Sequence, residues 1–359
     1  MKNKISSKPT VGIISWGSSI PGNAVTTRII ADSQGKTDNP GRSLGIIQKT
    51  IPQPDVDAAT LAVASASDSL SKLTDQTIKQ SIGSLLIGSE SHPYAVKPTG
   101  TIVSQALGLP EFLSMADLQF ACKAGTQSLQ LSLAQVECGQ IKVGLAIGSD
   151  TAQSKPGDIL EYAAGSGSGA FLVGSSRDYP LVANLLVTMS IATDTPDFWR
   201  RGHAPYPEHA GRFSAEPAYF YHITTLTKKI LESQNLTPKD IDYCIFHTPN
   251  AKFPNQAAKI FGFTPSQLEF SLPVTHVGNT YAAAVPLALA NVLDNAEANK
   301  KILIVSYGSG AGSDGFIFQT TKNLPILQKR SVSTLKTQID HLSSIDLVSY
   351  LQLSRARNH

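Results

Sequence analysis

Short apolar runs that end in glycine or serine recur along the chain, at residues 11–15, 84–89, 143–149, 170–174, 241–247, 301–306 and 315–319. Runs of this length, apolar at nearly every position, predict strands buried on both faces of a parallel sheet. Between them, residues 58–73, 125–137, 219–233 and 280–293 carry helix-like patterns. The alternation predicts an α/β protein built in layers.

The pattern also echoes itself. Glu90 follows the run at 84–89, and Cys122 stands 32 residues further on; His247 ends the run at 241–247, and Asn279 again stands 32 residues further on. The two pairs superpose at an offset of 157 residues, and at nearly that offset the run 143–149 falls on 301–306. A chain of two similar α/β halves, 1–178 and 179–359, would bring equivalent strand ends and helix starts together around a pseudo-two-fold axis. Glu90, Cys122, His247 and Asn279 would then converge. Between the halves, residues 194–218 are rich in proline, aromatic and charged residues, which fits either a structured insertion at a site entrance or a surface connection.

Composition narrows the class. With 359 residues, 41% of them hydrophobic, the chain can bury a large core. A net charge of +3, without a Lys/Arg stripe interleaved with aromatics, gives no footprint for nucleic acid. Three cysteines, Cys122, Cys138 and Cys244, with no C-x-x-C spacing, argue against a disulfide framework and against a zinc site, so no metal is expected and a reducing cytoplasm fits. Residues 1–8 are basic, but the apolar run after them is short and broken by Gly12, Gly17 and Pro21, so it reads as a first strand and not as a signal peptide. No run approaches the ~20 apolar residues of a membrane helix.

The candidate chemistry centres on Cys122, set among small residues ahead of a helical pattern. At a helix N-terminus the free amides favour thiolate, which predicts a pKa below the usual ~8.5; taken alone, the residue equally fits a small buried hydrophobe. Glu90, at a strand end, would have its pKa raised by burial and could serve as a general acid/base, or it could cap a helix. His247 is placed to handle protons beside a nucleophile, although a histidine there can also be structural. Asn279 could cap the next helix or hold a substrate carbonyl. Backbone amides at Gly308 and Ser309, with that of Cys122, could form an oxyanion hole. The glycine-rich stretches lack the G-x-x-x-x-G-K-[ST] pattern of a phosphate loop.

Taken together, residues 88–99, 120–126, 156–158 with Glu161 and Tyr162, 194–201, 211–213, 246–254, 278–281 and 307–314 resemble the thiolase superfamily, and within it the hydroxymethylglutaryl-CoA synthases of archaeal type. The matching stretches span residues 84–318, with a similar tail at 345–355. The resemblance implies a thiolase-like fold of two pseudo-repeated halves in α-β-α-β-α layers, and a catalytic set carried here by Cys122, Glu90 and His247. It implies condensation of acetyl-CoA with acetoacetyl-CoA through an acetyl-cysteine, in the mevalonate route to isoprenoids, with no cofactor beyond the CoA thioesters themselves. Lys252 would then stand near the CoA phosphates, or simply be solvated. A homodimer and a complex with acetoacetyl-CoA thiolase and a small bridging protein are implied partners. Residues 26–54 fit the family only loosely, and Ala282-Ala283-Ala284 stand where the family often has serine or glycine. Two other readings compete: a ketoacyl-ACP synthase III-like or carrier-protein-dependent condensing enzyme, which needs no carboxylate at position 90, and a non-catalytic scaffold subunit.

Overall fold

The computed structural model describes residues 9–202 and 204–356; the basic stretch 1–8, His203 and His359 lie outside them. Nine strands form one continuous sheet: β1 (Val11–Ser19), β2 (Ile82–Gly88), β3 (Ser114–Leu118), β4 (Val143–Thr151), β5 (Ser166–Ser175), β6 (Ala183–Ala192), β7 (Tyr243–Phe246), β8 (Lys301–Val305) and β9 (Gly312–Thr320). Across the sheet they run β7-β8-β9-β6-β1-β5-β4-β2-β3. The series β1-β5-β4-β2 thus recurs as β6-β9-β8-β7, and the two series are joined where β1 meets β6 at just Gly12↔Asn184 and Ile13↔Ala183.

The strand sequences explain the layering. Along β8, Ile302 and Ile304 enter one core while Leu303 and Val305 enter another; along β9, Phe316 and Phe318 part from Ile317 in the same way. In the first half, Ala146 on β4 faces the central core, whereas Leu145 and Ile147 face outward to a third. Both faces of each strand are covered, which is why the runs read as continuously apolar. The central core holds α3 (Ala124–Glu137) and α6 (Ala284–Asn295) between the two halves. Helix α6 is apolar almost all round because every side of it is buried. Helices α1 (Ala58–Ser71) and α2 (Thr99–Leu107) cover the outside of the first half, and α4 (Tyr221–Ser233) and α5 (Lys252–Phe261) that of the second. The result is the layered thiolase-like arrangement.

The expectation of a parallel sheet needs correcting. Only β2/β3, β2/β4 and β7/β8 pair in parallel, and the other five neighbouring pairs are antiparallel. An apolar run records burial on two faces and not the direction of its neighbour, and here the layers provide that burial for both kinds of pairing. Strand β6 escaped the pattern because most of its residues are only partly buried. Among the described residues no helix is long and apolar enough to cross a membrane.

At the centre, α3, β4 and the turn before α6 approach backbone to backbone. A Cβ on Gly125 would lie 2.2 Å from the carbonyl oxygen of Ala282 and 3.0 Å from Cα of Gly148. One on Gly148 would lie 2.6 Å from the same oxygen. No rotamer relieves a clash with backbone, so Gly125→Ala should lower the unfolding free energy by about 1–3 kcal/mol or more. Gly22→Ala, which meets nothing within 4 Å, should stay within about 0.5 kcal/mol of the parent. Equilibrium denaturant unfolding of both variants checks the contrast.

Candidate active site

The turn that carries Cys122 is strained and pinned. Between β3 and α3, Ala121 adopts φ +44°, a left-handed conformation that costs a non-glycine residue about 1–2 kcal/mol and persists only where surroundings impose it. Lys123 and Ala124 donate backbone hydrogen bonds to Phe120 and Ala121 (3.2 and 3.1 Å), tightening the turn. The Lys123 ammonium lies 4.2 Å from the Phe120 ring centre and 3.0 and 3.1 Å from the carboxylate oxygens of Asp314 on β9. Both partners of this ion pair are buried, and it ties the turn to the other half.

Glu90 follows β2 in a loop organised by a second buried carboxylate, Asp150 at the end of β4. Its Oδ1 accepts from the Ser89 hydroxyl (2.7 Å), the amides of Glu90 and Ser91 (2.8 and 2.9 Å) and the Ser91 hydroxyl (2.6 Å). Its Oδ2 accepts from the Ala282 amide at 2.8 Å, across the seam between halves. Arg200 donates to the Glu90 carbonyl oxygen at 3.1 Å.

His247 continues from β7, its amide donating to the Val305 carbonyl at 3.0 Å and its own carbonyl accepting from the Tyr219 hydroxyl at 2.7 Å. Tyr219 comes from the π-helical turn Ser214–Phe220 ahead of α4. The rings of Tyr219 and Tyr307 each lie 6.4 Å from the His247 ring, whose buried Nδ1 meets no hydrogen-bond partner among the described residues. Asn279 Oδ1 accepts from the Tyr281 amide at 3.0 Å.

These side chains meet around two adjoining cavities. One, of about 110 Å³, is lined by Cys122, His247, Asn279, Ser309, Tyr219 and Tyr307 among others. The other, of about 220 Å³, is lined by Glu90, Gln119, Gln153 and Arg200 with their neighbours. The Glu90 carboxyl lies close enough to the Cys122 sulfur for each to shift the other's proton affinity.

Burial sets the electrostatics. It pushes Glu90 up to about 8, helped by the nearby charge of Asp150 and opposed by Cys122 and Arg200. The Cys122 thiol is likewise pushed up, first by burial and then by the Glu90 carboxylate. This reverses the lowered thiol pKa expected from the helix start, because desolvation and a neighbouring anion outweigh the helix amides. Burial also pushes His247 down to about 3, so its imidazole is neutral.

Two of the remaining sequence candidates sit differently from expectation. The Gly308 amide donates to the Gly312 carbonyl at 2.8 Å and is not free as an oxyanion donor. The value of Gly308 is space: a Cβ there would lie 2.5 Å from the Phe120 carbonyl oxygen. Lys252 stands exposed at the start of α5 and lines neither cavity. Sequence reasoning did not single out Asp150 or Tyr219, and it took Asp197, Phe198 and Tyr307 only as parts of the stretches 194–218 and 307–314. Asp197 accepts from the Tyr307 hydroxyl (2.6 Å) and the Gly310 amide (2.8 Å), which anchors the segment 194–218 at the cavity. The available signal was its aromatic and acidic cluster, Asp197-Phe198-Trp199. Among the described residues no group of three or more His, Cys, Asp or Glu is gathered as a metal would require.

Comparison with known proteins fits this geometry. Residues 231–320 match the family model for the C-terminal part of 3-oxoacyl-[acyl-carrier-protein] synthase III. The hydroxymethylglutaryl-CoA synthase of Methanocaldococcus jannaschii is 46% identical over 324 residues, covering 90% of this chain and 92% of that protein. The enzyme of the same name from Methanococcus maripaludis is 44% identical over 343 residues, 95% of this chain and 97% of its own length. A solved structure of MvaS in complex with 3-hydroxy-3-methylglutaryl coenzyme A superposes with a TM-score of 0.85 at 22% identity, covering 96% and 92% of the two chains, which shows the shared fold. On the full-length relatives, the chain belongs to the hydroxymethylglutaryl-CoA synthase family.

Proposed function

We propose that the protein condenses acetyl-CoA with acetoacetyl-CoA to give 3-hydroxy-3-methylglutaryl-CoA, with the acetyl group carried on Cys122. The observation that supports this most directly is the grouping of thiol, carboxyl and neutral imidazole around two adjoining cavities. The Cys122 sulfur attacks the acetyl-CoA carbonyl, the carbon–sulfur bond to CoA breaks, and the thiol's proton leaves with CoA. Glu90 as carboxylate then takes a proton from the acetyl methyl, which the thioester has made acidic. A carboxylate whose pKa lies near 8 is a stronger base than an ordinary one, and this suits so weak an acid.

The resulting enolate carbon attacks the ketone of acetoacetyl-CoA. His247, neutral at working pH, donates a hydrogen bond to the ketone oxygen as it gains charge, and the proton that Glu90 took from the methyl passes to that oxygen. Water then cleaves the acyl-cysteine bond to release product and restore the thiol. A decarboxylating condensing enzyme would have no use for a carboxyl beside the sulfur, and a scaffold subunit would have no use for the set.

We also assign a homodimer. Strand β3 is a sheet edge paired only to β2, with Val96 and Phe112 almost fully exposed, which favours self-association. A free thiol nucleophile suits the reducing cytoplasm.

Purified protein mixed with radiolabelled acetyl-CoA should carry label on Cys122, and Cys122→Ala should carry none; equal label in both would overturn the reading. Glu90→Gln should still acetylate while condensation falls roughly 10²–10⁴-fold, measured by mass analysis of product formed with acetoacetyl-CoA. The raised pKa gives the pH dependence its sign: below about 8 Glu90 holds a proton and cannot act as a base. The condensation rate should therefore rise roughly tenfold from pH 7 to beyond 9, as the ionised fraction grows, and stopped-flow or quench assays of acetylated enzyme check this.

A further inference from the structure

Two residues, Phe198 and Tyr281, line both cavities, and no other residue among those lining either is shared. Their rings meet edge to face, with centroids 6.0 Å apart and planes at 73°. They stand between the cavity lined by Cys122, His247 and Asn279 and the cavity lined by Glu90, while the thiol and the Glu90 carboxyl remain in direct contact beside them.

The pair of rings is held from both halves. Phe198 sits in a two-residue ladder within the segment 194–218, opposite His209, with Trp199 opposite Glu208. Its neighbour Asp197 accepts from Thr195, Tyr307 and Gly310, and the Asp197 carbonyl accepts from the Ala210 amide at 2.9 Å. His209 in turn lies 3.3 Å from the Asp158 carboxylate. Tyr281 is fixed by its backbone, at φ +47°, and by its hydroxyl, which donates to the Gln153 carbonyl at 3.2 Å. Neither ring is a loose side chain at a cavity mouth.

On the reading that Cys122 carries the acyl group and Glu90 deprotonates it, the α-carbon of that group has to face the carboxyl, and so lies where the two cavities meet, a junction that the Phe198 and Tyr281 rings border. Space for a second carbon on the donor is therefore bounded by these rings. We propose that Phe198, backed by Tyr281, is a specificity-determining residue that restricts the acyl donor to two carbons, and that opening this border admits a propionyl donor. The chemistry would be unchanged: propionyl replaces acetyl on the sulfur, CoA leaves with the proton, and the α-carbon gives up one proton to Glu90 before attacking the ketone. The condensed product would carry one additional methyl group.

One methylene in a pocket carries roughly 10–200-fold discrimination. The test compares acetyl-CoA and propionyl-CoA as donors in the wild type, Phe198→Leu and Phe198→Ala, reading acylation of Cys122 by intact mass and condensation with acetoacetyl-CoA by product mass. The expected result is a graded rise in the propionyl-to-acetyl ratio of kcat/KM, at least tenfold for Phe198→Ala and smaller for Phe198→Leu. An unchanged ratio in variants that still acetylate would overturn the proposal. If Phe198→Ala acylates with neither donor, Phe198→Leu decides by the same ratio. Failure of the wild type to acetylate would count against the proposed reaction itself, so the two failures are separable.

Discussion

A buried carboxylate without a cation partner among the described residues, Asp150, joins the parts on which the site depends. Carrying a charge into the interior is costly unless it is met by hydrogen bonds, and five donors meet this one. Four come from the loop that bears Glu90 and the fifth from Ala282, at the start of the second half's central helix. The residue therefore fixes the carboxyl loop and, in the same stroke, the seam between halves. Its charge also reaches Glu90, where it ranks after burial among the causes that raise the pKa. One group thus contributes to both architecture and acidity.

The seam explains why the turn that carries Cys122 tolerates its strain. Ala121 is held left-handed, Gly308 lets the 307–312 loop press against the Phe120 carbonyl, and the Lys123–Asp314 pair clamps the turn from the far side. A buried ion pair is weak evidence for stability, since desolvation offsets most of its attraction. What it does supply is registration: Lys123 neighbours Cys122 in sequence, while Asp314 also accepts from Thr126 and Ser190, so three separate elements share one set of contacts.

Much of this was legible before any coordinates. Cys122, Glu90 and His247 stand where strands and turns end, and an offset of 157 residues relates Glu90 to His247 and Cys122 to Asn279. That is a one-dimensional trace of a repeated fold. Strand direction left no such trace, because β4 and β9 are buried on both faces whichever way their neighbours run. Asp150 stands just past the apolar run 143–149 with nothing local to mark it; its importance depends on β4 lying beside β2, which no local pattern encodes. Tyr219 and Tyr307 are ordinary aromatics in sequence, and only tertiary packing sets them, tilted, beside the His247 ring. The helix-start rule for Cys122 failed for a physical reason, since it weighs amides and dipole but not the solvent that burial removes.

Burial then gives the resting site a common character. It raises the proton affinity of thiol and carboxyl and lowers that of imidazole, so all three groups are driven toward their neutral forms. A site of neutral groups can be packed among aromatic rings, as this one is, without the cost of several unpaired ions. Under the proposed reaction, each charge would then arise only as a proton moves: from sulfur as CoA departs, from the methyl carbon to Glu90, and back onto oxygen as the new bond forms. At groups so buried, charge that appeared without its matching transfer would be poorly solvated. The surroundings therefore favour a sequence in which bond making and proton movement stay coupled, and disfavour a free thiolate waiting for substrate.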